Sequence, residues 1–346
     1  MPFLDVKNPL RYCRAMKHRL LRLLVIIFCL AFPQICPAPL IYTPGEGWRY
    51  ESVGGGNWQR TRAKDQLEVA QTAFDQKDYS LAFKAARRTV KQWPFSDYAP
   101  QAQYLMARCY EARGQKERAF KAYQKLIERY PKIENYDEIV KRQFGIANGF
   151  LAGDWFKVGG YVPLYRSMDK TVEMYEQIIK NGRYSEVAPV AQMNIGTAYE
   201  NKKVFWIDAP DYALAAKAYE KAADHYGEQK LGTDAVYKMG LAYNHQANRA
   251  EYDQSVAAQA ISTFADFATL HPDDTRVPEA QKIADSLRTE QARGSFDIAR
   301  FYEKNRRWEG AKIYYNEVLL KDPGSKYADE ARKRIDAINK RLQGRP

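Results

Sequence analysis

Histidine and cysteine are almost absent, with four of each in 346 residues. His18 lies in the N-terminal stretch, which leaves His225, His245 and His271. His245 has no carboxylate or cysteine at ligand spacing, and a metal site needs several such groups together. His225 and His271 fall where second helices of a repeat should close, a place that suits a polar or charged ring. Cys13, Cys29 and Cys36 lie within the first 38 residues, so Cys109 is left without a disulfide partner. It is expected as a buried thiol on a helix. Strands are also missing from the pattern. The longest glycine run, Gly54-Gly55-Gly56, lacks the lysine and flanks of a phosphate loop. Neither a metal nor a cofactor is therefore expected, and an enzyme is not.

Long hydrophobic runs are missing too. The longest, Leu23 to Phe32, covers about ten residues, too few to span a hydrocarbon layer of ~30 Å. Lys17, Arg19 and Arg22 precede it, while Pro33 and Cys36-Pro37-Ala38 follow, the order of an export signal. Residues 1–38 are read as a signal peptide cleaved after Ala38, with Met1 or Met16 as the start. Neither Cys29 nor Cys36 is preceded by the small residues that lipid attachment requires, so a non-lipidated exported protein is expected. The formal charge of +12 suggests a nucleic-acid binder only until the signal is set aside. Residues 1–38 hold a net +5, and the +7 that remains is interspersed with acids. A nucleic-acid partner calls for a concentrated basic stripe, and none is expected.

What the chain does have is a repeat. Ala107, Tyr110, Gly114, Ala119, Tyr123 and Pro131 return as Ala299, Tyr302, Ala311, Tyr315 and Pro323. In both copies the aromatic precedes an alanine by nine residues, and that alanine precedes the proline by twelve. Looser copies read Ala70, Ala82 and Pro94; Ala147, Phe150, Thr171 and Tyr175; Gly196, Tyr199, Ala215 and Tyr219; and Gly240, Tyr243, Ala260, Phe264 and Pro272. Self-similarity near 34 residues marks a helical-hairpin repeat of tetratricopeptide type. One hairpin cannot bury its apolar face alone, so hairpins stack. Small residues suit the helix crossing, aromatics fill the space between hairpins, and prolines end second helices. The expected fold is all-α: a right-handed solenoid of about six degenerate hairpins over residues 61–342, with a C-terminal capping helix.

The rest of the chain is organised around that stack. Residues 39–60 are a flexible aromatic and glycine-rich arm, and 343–346 a tail. Asp78, Ser96 or Asp97, and Asp211 are expected N-caps. Two units are interrupted: GDWFKVGGYVPLY adds about a dozen residues to the third, and KKVFWIDAPDY adds seven to the fourth. In the fifth, HQANRAEY adds eight and could simply lengthen a helix. Trp155, Phe156, Tyr161, Phe205 and Trp206 make the first two inserts aromatic. They either contact a partner or fold back to plug gaps between hairpins. Tyr327, Ala331, Ile335, Ile338 and Leu342 recur at helical spacing, as a sealing helix needs; a basic remainder leaves docking of an acidic partner as the second reading.

First helices of such a stack line its concave side, and their outward positions form a groove. In the first three units these are Lys64, Leu67, Gln71 and Phe74; Gln101, Tyr104, Arg108 and Glu111; and Lys141, Phe144, Asn148 and Leu151. Aromatics can cover apolar side chains of an extended peptide, while cations and amides hold its backbone or carboxylate.

The order of these features is similar to that of the outer-membrane assembly lipoprotein family, BamD. The resemblance rests on the Pro-closed units (Trp93-Pro94-Phe95-Ser96, Tyr130-Pro131, Asp322-Pro323-Gly324-Ser325), the interrupted third unit and ARFYEKNRRWEGAKIYYNEVLLKDPGSKYADEA. It implies a periplasmic scaffold on the inner face of a Gram-negative outer membrane. Its partners would be the barrel-forming assembly subunit and unfolded barrel clients. A cell-division coordinator of the CpoB kind shares the individual repeat motifs and is the alternative.

Overall fold

The computed structural model describes residues 40–43, 47–50, 58–204, 207–227, 230–249 and 254–343. The proposed signal peptide, Phe205 and Trp206 lie outside the described residues. The chain divides into two units, residues 1–60 and 61–346. In the first, β1 (Leu40–Thr43) pairs antiparallel with β2 (Gly47–Tyr50), with Leu40 opposite Tyr50 and Thr43 opposite Gly47. The arm thus holds a hairpin where no period was legible.

The second unit is all-α, and its helices pair as the repeat predicts. The first hairpin is α1 (Ala63–Asp75) with α2 (Tyr79–Gln92), and the second α3 (Tyr98–Ala112) with α4 (Lys116–Arg129). The third is α5 (Tyr136–Leu151) with α6 (Met168–Asn181), and the fourth α7 (Val187–Glu200) with α8 (Tyr212–Tyr226). The fifth is α9 (Lys230–Arg249) with α10 (Gln254–Leu270), and the sixth α11 (Val277–Lys304) with α12 (Trp308–Lys321). Helix α13 (Lys326–Gln343) closes the stack. HQANR extends α9 to 20 residues, as its polarity allowed. The 28 residues of α11 make it the longest helix described.

Turn chemistry sets the hairpins. Gly114, with φ +67°, ends α3, and its N–H donates to Glu111 O while Gln115 N–H reaches back to Tyr110 O. This is the left-handed C-terminal closure that glycine adopts without a Cβ clash. Lys77 (φ 64°) and Arg306 (φ 57°) hold the same place in the first and sixth units, with the same pair of bonds. Asp78 then caps α2, accepting from Ser80 and Leu81 N–H at 3.1 and 3.0 Å, and Asp211 caps α8 through Leu214 N–H. Asp97 stands at the N-cap of α3 but its side chain makes no cap bond. Ser96 instead turns its hydroxyl back onto Trp93 O, so its oxygen serves the turn rather than the helix.

The core follows the small-and-aromatic code. Tyr123, Tyr175, Tyr219, Phe264 and Tyr315 on the second helices are fully buried against the alanines and glycines of the first. At Gly196 a Cβ would sit 2.4 Å from the Tyr219 ring, so the crossing there admits no side chain. The last cluster joins Trp308, Tyr315, Ala331 and Ile338, with Tyr327, Ile335 and Leu342 packed against it. Helix α13 removes from water the apolar face that α12 would otherwise expose, at ~1.5–3 kcal/mol for each fully buried Ile or Leu.

Strands do occur in the inserts. β3 (Phe156–Val158) pairs with β4 (Val162–Tyr165), and β5 (Lys203–Val204) with β6 (Ile207–Asp208). In the third unit Gly159 (φ 63°) and Gly160 (φ 84°) supply the left-handed residues of a tight turn. FKV and VPLY are short β-formers on either side of it. Each hairpin has only two strands, below what helical-repeat reasoning detects.

Candidate functional site

The stripe along α1, α3 and α5 begins with residues that the repeat places outward. Lys64 and Gln71 are exposed on α1, and Gln101 is exposed on α3. Leu67 does not belong to the stripe: it is buried, one turn before Ala70 on the packed face of α1. Phe74, Tyr104, Arg108 and Glu111 are half-buried, and the fold brings them together. The Arg108 guanidinium lies 5.5 Å from the centre of the Phe74 ring and 5.9 Å from that of Tyr104. Such placement over aromatic faces is favourable for a cation. Arg108 thereby bridges the first and second units.

Tyr104 is a junction. Its hydroxyl donates to Glu138 Oε1 at 2.7 Å and accepts from Arg142 Nε at 3.0 Å and from Arg108 Nη1 at 3.4 Å. Arg142 also binds Glu138 at 2.9 Å and reaches Glu111 Oε2 at 3.4 Å. Glu111 in turn accepts from the Tyr123 hydroxyl at 2.8 Å. The Tyr104 hydroxyl, and then Arg142, hold the Glu138 carboxyl below its ordinary value despite the opposing effect of burial. Burial, and then the bond to Glu111, push the Tyr123 hydroxyl far above the usual phenol range. A partner reaching this stripe therefore meets a prebuilt array of two guanidinium groups, two carboxylates and aromatic faces.

The stripe continues with altered chemistry. Phe144 packs on Tyr175, ring centres 6.1 Å apart. Asn148 Oδ1 accepts from Tyr175 Oη at 2.6 Å and from Asn194 Nδ2 at 3.0 Å, linking the third unit to the fourth. Its carbonyl is thus committed within the protein, while Leu151 is half-buried against the same core. Lys141 leaves the stripe to pair with Glu186 at 2.9 Å, at the start of α7. It matches Lys64 in sequence position but not in surroundings. Arg142 and Glu138 were missed by sequence reasoning, although their i,i+4 spacing on α5 was visible. Sequence spacing points to Lys141, one residue before the arginine that the fold brings to the stripe.

The aromatic inserts divide. Phe156 is buried, stacked on Phe150 at 4.2 Å and on Tyr165 at 5.6 Å, so it plugs the third unit and offers no surface to a partner. Its assignment as a contact residue is corrected accordingly: the β3 backbone turns it inward against α5. Trp155 is half-buried, with the Arg166 guanidinium 5.2 Å from its ring centre. Tyr161, at the hairpin tip, is exposed and lies 5.9 Å from Arg118.

Among the described residues, no group of three or more His, Cys, Asp or Glu is placed to hold a metal ion. His225 Nδ1 bonds Lys221 O at 2.8 Å, and His245 stacks on Tyr212. Cys109 is buried, and desolvation pushes its thiol up to about 11. No described helix is long and apolar enough to cross a membrane.

The stacked hairpins and the Pro-closed sixth unit find their counterpart among known families. A tetratricopeptide-repeat family matches residues 101–132, and the outer membrane lipoprotein family matches residues 180–343. The chain is a tetratricopeptide-repeat fold whose residues 180–343 are similar to that BamD-type lipoprotein family. Both families consist of protein-interaction scaffolds, and the repeats indicate that this chain binds proteins. No curated protein matches it at a significant level. Solved structures resemble it only distantly. A tetratricopeptide repeat protein from Parabacteroides merdae is 9% identical, covering 80% of this chain and 98% of its own, with a TM-score of 0.31. The apo form of RapI is 13% identical over 80% of this chain and 99% of its own, at 0.30. A MamA double mutant is likewise 13% identical over 62% and 99%, at 0.30.

Proposed function

We propose that the protein is a non-enzymatic periplasmic scaffold for assembly of outer-membrane β-barrel proteins, holding partner proteins and extended peptides. The observation that carries this reading is the match of residues 180–343 to the outer membrane lipoprotein family, on a stack of six hairpins. The stripe of Phe74, Tyr104, Arg108 and Glu111 supports peptide recognition by the first units. Its cations suit a terminal carboxylate, and its aromatic faces suit the apolar side chains of a barrel strand. Lys64 and Gln71 extend the same face beyond the bonded array. Tyr161 and Trp155 of the inserted hairpin offer a second contact. Export without lipidation puts the chain at the periplasmic face of the outer membrane through its partners.

Capture of the mature chain from envelope extract tests the reading. The barrel-forming assembly subunit should be recovered. Recovery of peptidoglycan synthases or division proteins in its place would move the function to a CpoB-like coordinator. Calorimetry with a barrel-derived C-terminal peptide tests the stripe: Arg108→Ala should weaken binding by ~1–3 kcal/mol. Unchanged affinity in Arg108→Ala and Tyr104→Ala, with loss on changing Trp155, would transfer recognition to the insert. Mass spectrometry of the native N-terminus settles lipidation, since an acylated cysteine is incompatible with the processing proposed.

A further inference from the structure

Positive charge is gathered on the second helices of the first two units. Residues 79–130 hold eleven lysines and arginines against four acids. Helix α2 carries Lys84, Arg87, Arg88 and Lys91 with no acid, and α4 carries five cations with two acids. The later second helices are different. In α8, Lys217 and Lys221 are balanced by Glu220 and Asp224, and in α12, Lys312 and Lys321 by Glu309 and Glu317. A general need for solubility would not concentrate the charge on two neighbouring helices of six.

The cations frame a groove of about 870 Å³. Arg87 and Lys91 form one wall, from α2, and Arg118, Lys121, Lys125 and Arg129 form the other, from α4. Between them the floor is largely apolar: Val90, Pro94, Met106, Tyr110 and Ala122. Tyr130 donates to Pro94 O at 3.0 Å and ties the two walls together at one end. Among the described residues no carboxylate lines this groove. Glu117, just outside, is taken by Lys121 at 2.7 Å. Arg87, Lys91 and Lys125 have no carboxylate partner among the described residues, so their charges are uncompensated.

We infer that this groove, whose cationic walls stand on a different helix row from the stripe, docks an acidic amphipathic segment of a partner protein. The charge pattern selects an anion, and the apolar floor selects what kind. A flat lipid surface would meet the rims but not fill a recess between two helices. A nucleic acid would pair with the cations and leave the floor unused. A segment with acids on two edges and apolar side chains between them meets both walls and floor. A second copy of this chain is disfavoured by its own positive charge. This inference goes beyond the proposed scaffold role and does not depend on the stripe.

Fluorescence anisotropy with the mature chain tests it, using a labelled 20-residue peptide of alternating Glu and Leu blocks. Controls are the same peptide with Glu replaced by Gln, a peptide with Leu replaced by Ser, phosphatidylglycerol vesicles and a duplex DNA. The Glu/Leu peptide should bind, weaken with added salt, and exceed either substituted peptide by about tenfold or more. Lys91→Glu with Lys125→Glu should reduce its affinity by a similar factor. Lys91→Gln with Lys125→Gln serves if the reversal impairs folding, as judged by circular dichroism. Arg108→Ala, on the other row, should leave this affinity unchanged, which separates failure here from failure of the stripe. Equal binding of the Ser-substituted peptide, or tighter binding of vesicles or DNA, would overturn the inference, as would indifference to both double substitutions.

Discussion

The hydroxyl of Tyr123 lies 2.8 Å from Glu111 Oε2, and twelve residues separate them in sequence. Tyr315 and Glu303 repeat both features, at 2.6 Å. In the fourth unit Tyr219 meets Glu200 at 2.9 Å across a longer insert, and in the third Tyr175 finds Asn148. The first unit has Ala86 at this place and the fifth Phe264, where the other four have tyrosine, and in the fifth Asn244 follows Tyr243 in place of glutamate. The buried aromatic thus carries a hydroxyl in the units whose first helix provides an acceptor for it. A phenol taken out of water needs a partner, and the partner is a first-helix side chain.

Tyr123→Phe should cost about 1–2 kcal/mol, because it removes a hydrogen bond to a charged acceptor while keeping the ring. Urea denaturation monitored by circular dichroism measures it. The slope with urea should stay constant, since the surface exposed on unfolding is unchanged. An effect near zero would mean that Arg142 and Arg108 satisfy Glu111 without the phenol.

Gly196→Ala and Gly145→Ala should have opposite signs. At Gly196 the added Cβ would lie 2.4 Å from the Tyr219 ring, an overpacking cost of ~1–3 kcal/mol. At Gly145, within α5, a Cβ meets nothing within 4 Å, so replacing the flexible glycine should stabilise by ~0.5–1 kcal/mol. Paired thermal melts distinguish the two directly.

Lys77→Gly should raise stability by ~0.5–1 kcal/mol. Lys77 is exposed and holds φ 64°, a region that costs a residue with a Cβ ~1–2 kcal/mol and glycine little. The gain is reduced by the greater freedom of glycine in the unfolded chain. Gly114, at the matching place in the second unit, already has the favoured residue, so Gly114→Lys should destabilise.

Alkaline pH should unfold the protein through its tyrosines. Burial, first among the causes, raises Tyr123, Tyr175, Tyr219 and Tyr315 above the ordinary value of 10.0, and Tyr237 to about 12. The folded state therefore favours the neutral phenol. Its contribution to stability is complete below pH 10 and is lost as pH rises from there through the folded values. Melting temperature should fall steadily above pH 10. Absorbance at the phenolate band should show a group of tyrosines that ionise only as the helical signal disappears. Ordinary titration of every tyrosine in the folded protein would contradict this.

Local periodicity was enough to read the repeat. Alanine, tyrosine and proline at recurring offsets state which faces of each helix pack, and stacking has only one way to satisfy them. The six hairpins, the sealing helix α13 and the burial of Cys109 were legible for that reason. The small hairpins of the inserts were not, because three or four residues of β-formers around a glycine turn carry no period of their own.

The stripe was legible only in part. Phe74, Tyr104, Arg108 and Glu111 could be assigned to one face from helical spacing. Their bonds to Glu138, Arg142 and Tyr123 depend on distances between separate helices, which spacing along one helix cannot express. Phe156 shows the same limit in reverse: an aromatic in an inserted loop looks available, and only the turn at Gly159 and Gly160 aims it into the core. Likewise, the sequence records how many cations lie on α2 and α4. Their gathering into two walls of one groove is decided by the lateral packing of successive hairpins, where residues distant along the chain become neighbours.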